Sequence, residues 1–277
     1  MPRFEQATEI DYFITKVDSL KATPDMTNST DFRLITIAIS HFCEKTRWAL
    51  DWLQIPYTEE NHAPLFHRLY TRPRGGKSVP VLVTKDGTFV DSTDILHYLD
   101  TIAPESRRLY PSHPQLRQEV EKLEELFDMQ LAVACRSWGY AYTVKNSLLI
   151  KRAWSIGVPW VERVGVAIAY PFMYRLVQRV YDATPEGADR SLKTIKDIFT
   201  NVGDRLKPEQ KYLVGDSFSA ADLSFAALAA PVLRPKSHPI YTSGMQGLPS
   251  EMVAVIQELR ETTAGKFALS LYREKRK

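Results

Sequence analysis

Ser40-His41-Phe42-Cys43-Glu44-Lys45 is the stretch whose residue types and spacing come nearest to a reaction centre. It follows the continuously apolar, β-branched run Leu34 to Ile39, which reads as a buried strand. It leads into Glu44 to Leu53, where Trp48, Leu50, Trp52 and Leu53 alternate with charges before Ile55-Pro56 ends a short amphipathic helix. A strand handing over to a helix leaves unpaired backbone N–H groups and the positive end of the helix dipole at the turn. A thiolate held there is stabilised, and a serine hydroxyl adds one more donor to the sulfur. Ser40 is thus the candidate activating group, weighed against the ordinary role of a serine at such a junction as a cap. Cys43 is either a low-pKa thiol or an inert core residue, the second being favoured. His41 is expected to be exposed.

Two further features bear on ligand binding. Val79-Pro80 precedes the strand-like Val81-Leu82-Val83; proline is tolerated at a strand's first residue, while a cis bond would turn the Val79 backbone toward a ligand, and the sequence leaves the isomer open. Asp91-Ser92 opens a helix. There Ser92 is expected to cap, and its hydroxyl and N–H can also hold a carboxylate while Asp91 accepts from an amino group, a match for an α-amino acid end. Arg68, Arg72, Arg74 and Lys77 lie between these features and can steer an anion. His62 and His67 are five apart, do not share a helical face and have no Cys/His cluster beside them, so no metal is expected.

These groups need a scaffold. Asp86-Gly87 is a hairpin signal between Val79–Val83 and Thr88–Val90, and Ile95, Leu96, Leu99 and Ile102 form one stripe of a helix over Ser92–Ile102. The order is β-α-(β)-β-β-α. Pro104, Pro111 and Pro114 mark a linker. Beyond it the spacing is helical: Leu116 to Tyr142, Val161 to Tyr181, Leu192 to Leu206, Ala220 to Leu233 and Met252 to Thr263, with Ser219 and Asp222 forming a capping box. Val164 to Met173 reads as a buried helix segment, too short to span a bilayer. Arg273 to Lys277 reads as a solvated tail. The expected division is an N-terminal extension over 1–32, an α/β domain over 33–103, a linker over 104–114 and an all-helical domain over 115–277.

With 277 residues, 44% of them apolar, the chain can bury a substantial core, and a net charge of +3 suggests neither a nucleic-acid nor a membrane partner. Two cysteines favour a reducing, cytoplasmic setting.

The ordered set of a strand, S-x-F-C-x-K, V-P-V-L, a D-S helix start and a helical half with F-S-A-A-D-L resembles the cytosolic glutathione transferases over about residues 33–270. The resemblance implies a thioredoxin-like N-terminal domain, an all-α helical-bundle C-terminal domain, a homodimer, and glutathione as substrate together with a small electrophile, as in detoxification. Ser40 falls on the catalytic position of the serine-type classes, which the omega-like classes fill with cysteine. Phe42, Lys77, Val79, Pro80, Asp91 and Ser92 fall on glutathione-binding positions. A dithiol mechanism is excluded because Ser40 replaces the first cysteine of C-x-x-C, although a glutathione-dependent thiol transferase or reductase using Cys43 is an alternative, as is a non-catalytic binding module. Arg136, Tyr140 and Tyr142 are candidates for the electrophile pocket. Residues 145–190 are longer than the family's usual connection; Trp154, Trp160, Tyr170, Phe172 and Tyr174 would cover that pocket or fill the core, the core being favoured.

Overall fold

The computed structural model describes residues 31–206, 210–241 and 244–276, so the expected N-terminal extension lies outside them apart from its last two residues. Strand β1 (Arg33–Thr36) leads to helix α1 (His41–Trp52), β2 (Thr58–Asn61), the short α2 (His67–Thr71), the β3–β4 hairpin (Val81–Thr84, Gly87–Phe89) and α3 (Ser92–Ile102). The sheet order is β2-β1-β3-β4, with β1 and β2 parallel and the other pairs antiparallel. Thr84 pairs with Gly87, so the hairpin turns at Lys85-Asp86, one residue earlier than the sequence signal suggests.

Side chains alternate across this sheet. Leu34 and Leu82 join residues of α1 and α3 in the main core, while Ile35 and Val81 belong to a separate small cluster with Tyr70 and with Cys43 from the first turn of α1. Helices α4 (Pro114–Leu126) and α5 (Ala132–Thr143) are joined by a π-helical turn, Phe127–Leu131. After them come α6 (Ser147–Trp154), α7 (Trp160–Val180), α8 (Pro185–Arg205), α9 (Ala220–Leu233), α10 (Ser250–Glu261) and α11 (Thr263–Glu274). The whole is a thioredoxin-like mixed sheet with its helices beside a large helical bundle.

Every residue of α9 except Pro231 is buried, as a helix with apolar residues on nearly every side requires. Its start is built as the sequence implies: Ser219 N–H and Oγ donate to Asp222 Oδ2 at 2.9 and 2.8 Å, and Leu213 N–H donates to Oδ1 at 2.8 Å. Trp48 of α1 packs against Phe218 and Tyr272 in that same core.

Several expectations are corrected. Val164 to Met173 is not buried: Val164, Ile168 and Phe172 are exposed on α7, because only the side holding Val166 and Met173 meets protein. Arg273 to Lys277 is not simply a solvated tail, since α11 runs to Glu274 and Arg276 turns inward to Glu44 Oε1 (2.7 Å) and Asp51 Oδ2 (2.5 Å). The aromatics of 145–190 divide. Trp154 is buried and Tyr170 and Tyr174 pack on a second core with Ile150, Val166 and Phe66, whereas Trp160 and Phe172 are exposed.

Candidate functional site

Chain direction gathers the sequence candidates at one end of the sheet. Ser40 follows the end of β1; β3 runs antiparallel to β1, so Val79-Pro80 precedes β3 at that same end; β4 runs antiparallel to β3, so Asp91 emerges there too. With Ile35 opposite Val81, Val79 lies level with Ile37, three residues before Ser40. The Val79-Pro80 peptide is cis.

Ser40 is half-buried and caps α1 in an extended conformation, its Oγ accepting from Cys43 N–H at 3.4 Å, a long and easily exchanged bond. Asp91 is exposed and caps α3, its Oδ1 accepting from Thr93 N–H at 2.8 Å. Ser92 is therefore not the cap: it occupies the first helical position and is buried. Two helix N-termini, each with a short polar side chain at its cap, thus face one region in which both dipoles favour an anion.

Lys45 fixes the spacing between these two ends. Its side chain is fully buried, with Nζ 2.8 Å from Glu124 Oε1 and 2.7 Å from Asp128 Oδ2. The same nitrogen is 3.4 Å from Thr93 Oγ1, which lies 3.1 Å from Glu124 and 3.0 Å from Asp128. Tyr110 Oη donates to the other Glu124 oxygen at 2.5 Å. Burial raises the Asp128 pKa; Lys45 opposes that rise and Glu124 adds to it. This network joins α1, α3, α4 and the π-helical turn. Sequence reasoning passed over it, although Glu124 and Asp128 stand at the i, i+4 spacing that places two carboxylates on one helical face.

The remaining candidates are placed unevenly. Lys77 is exposed two residues before Val79, and Phe42 is half-buried with its ring 4.9 Å from His41. His41 is buried, contrary to expectation, and burial followed by the charge of Arg136 lowers its pKa to about 3, so it stays neutral. Cys43 is fully buried against Ile35, Val79 and Val81, and burial raises its thiol pKa despite Arg47. Arg136 stacks over Tyr181 at 4.5 Å, and Tyr140 stacks on that ring in parallel at 5.4 Å. Tyr142 does not join them: two residues on around α5, it packs on Trp138. Tyr181 was missed because it ends a helix remote in sequence from α5. Two hollows lined by Leu123, Leu126 and Arg205 contain none of these candidates. Among the described residues, no group of three or more His, Cys, Asp or Glu is placed to hold a metal ion.

Residues 34–107 match the family model of the glutathione S-transferase N-terminal domain. Among curated proteins the comparison finds no match. Among solved structures the chain is similar to the β-etherase LigF from Sphingobium sp. strain SYK-6, with a TM-score of 0.57, 20% identity, and coverage of 87% of this chain and 99% of that one. It is similar to a Phanerochaete chrysosporium protein cocrystallised with 1-(S-glutathionyl)-2,4-dinitrobenzene, at TM-score 0.53 and 17% identity over 90% and 97% of the two chains. It is also similar to glutathione S-transferase-I bound with lactoylglutathione, at TM-score 0.51 and 19% identity over 87% and 100%. At these identities the shared feature is the fold, a glutathione S-transferase fold along nearly the whole of each relative.

Proposed function

We propose that the protein is a glutathione transferase, a cytoplasmic homodimer that activates the glutathione thiol for attack on a small electrophile. The observation that carries this reading is the convergence of Ser40, Val79-Pro80 and Asp91-Ser92 at one sheet end, with α1 and α3 aiming their N-termini there. Asp91 accepts from the γ-glutamyl amino group and Ser92 N–H holds its carboxylate. The Val79 backbone pairs with the cysteinyl part, Phe42 and Pro80 border it, and Lys77 reaches the glycyl carboxylate. Ser40 Oγ, which accepts a long bond from Cys43 N–H, has its own O–H to donate to the sulfur, which the α1 dipole also stabilises. Arg136 and Tyr140, beside Tyr181, border the electrophile. Positioning and charge stabilisation supply the catalysis. The full burial and raised pKa of Cys43 weigh against thiol exchange through that residue.

Steady-state conjugation kinetics test the division of roles. Ser40→Ala should lower kcat by about 10- to 100-fold, equivalent to a lost charge-assisted hydrogen bond, with KM for glutathione little changed. Asp91→Ala should raise that KM first. Wild-type kcat in the Ser40 variant contradicts the mechanism.

A further inference from the structure

Helix α7 is apolar on two opposite sides. Its inner side buries Val166, Met173 and Val177. Its outer side carries Trp160, Val161, Val164, Ile168 and Phe172, which recur at helical spacing and stay exposed, Trp160 at 73% and Ile168 at 74%. The stripe from Trp160 to Phe172 is about 18 Å long. α6, which packs on α7, adds Leu148 at 78% exposure. A helix with one apolar side against protein and a second apolar side left exposed has a face still to cover, and an exposed stripe of this kind marks a binding surface. No described helix is long and apolar enough to cross a membrane, so lipid contact would be lateral.

Charge selects the occupant. Between residues 145 and 181 the sequence holds six Lys and Arg but one carboxylate, Glu162. That carboxylate is buried and turned inward, accepting from Ala63 N–H at 2.7 Å and lying 2.7 Å from His62 Nδ1. The cations stand beside the apolar stripe: Arg163, anchored by Nε donating to Val158 O, and Arg175, three residues beyond Phe172, are exposed, as is Arg152 on α6. A second copy of this chain seated on the face would bring cation to cation with no exposed carboxylate of the segment to answer them.

We propose that the outer face of α6 and α7 docks on an anionic lipid bilayer, with α7 lying along the interface. Aromatic and aliphatic side chains flanked by Lys and Arg are the composition of an interfacial helix, and phosphatidylserine headgroups supply the missing negative charge. The overall charge of +3, from which no membrane partner is expected, conceals this local excess.

Co-sedimentation of the full chain with phosphatidylcholine vesicles, and with vesicles of phosphatidylcholine mixed with phosphatidylserine, tests the proposal, with sedimentation velocity run in parallel without lipid. Wild type should partition onto the mixed vesicles, much less onto neutral ones, and release as salt rises. Arg163→Gln and Arg175→Gln should each weaken that partition about fivefold. Ile168→Glu should abolish it while leaving the melting temperature and the lipid-free association state unchanged. Failure of wild type to bind mixed vesicles, or binding unaffected by salt and by all three variants, overturns the proposal. So does a lipid-free oligomer that Ile168→Glu dissociates, because the face then belongs to a second copy.

Discussion

Ser40, Asp91 and Lys45 each do work that only their surroundings define. Ser40 and Asp91 both cap helices, the second in place of the Ser92 that the sequence suggests, and in the proposed function their value comes from both caps opening on the same end of the sheet. Lys45 holds those caps in register from inside, with its charge matched by Glu124 and Asp128 out of water. Removing one partner of a buried ion pair leaves the other uncompensated, so Lys45→Met should cost about 3–5 kcal/mol in urea unfolding. A loss under about 1 kcal/mol would mean the network is not held as described. The two helix starts were legible because strand-to-helix turns and D-S helix starts have short sequence signatures. Lys45 was visible only as a letter of a motif, since its three partners lie 48 to 83 residues away. His41 was misread for the same reason: Arg136 and Ala132 come from a helix beginning at residue 132, and His238 from farther still along the chain.

Among the elements, the joint between β2 and α7 makes the clearest physical demand. His62 Nδ1 meets Glu162 at 2.7 Å and Nε2 meets Glu60 at 3.0 Å, while the ring stacks on Tyr70 at 3.5 Å. Burial pulls the His62 pKa down, but the hydrogen bonds and charges of Glu162 and Glu60 outweigh it, and the net shift is upward. A histidine with a raised folded-state pKa binds its proton more tightly when folded. Its contribution to stability is full below the ordinary value near 6.5 and is lost as pH rises through the folded-state pKa. The melting temperature of wild type minus that of His62→Phe should therefore shrink as pH is raised above 6.5; a difference that grows with pH would reverse the sign of the argument. Close packing supports the same joint, since a Cβ on Gly165 would come within 2.3 Å of Phe66 Cζ. Periodicity alone gave α7 its length but not its environment. An apolar run at helical spacing looks the same whether one side or every side meets protein, so the outer stripe was read as core.

Taken whole, the sheet and the bundle share one main hydrophobic core, in which Leu34, Trp48 and Leu82 lie with Phe225, Ile256 and Tyr272. The chain's far end closes the structure, because Arg276 of the C-terminal segment ion-pairs with Glu44 and Asp51 on α1. Arg276→Ala should lower unfolding stability by about 1–3 kcal/mol, the cost of leaving the buried Glu44 carboxylate short of a partner, and the loss should appear in one transition shared by sheet and helices. Loss confined to a separate early transition would show that the two halves unfold apart. The two kinds of structure were readable in order, because continuously apolar β-branched runs and a hairpin signal give way to helical spacing. This closure was not, because a run of mixed charge at a terminus carries no local sign of burial.

The proposed function places a glutathione sulfur at the N-terminus of α1 beside Ser40. Spectroscopic titration of the thiol of enzyme-bound glutathione, in wild type and in Ser40→Ala, tests it most directly. A bound thiol pKa well below that of free glutathione is expected, moving back toward the free value in the variant while glutathione still binds. A bound thiol titrating like the free tripeptide, or one unmoved by the loss of the Ser40 hydroxyl, would contradict it.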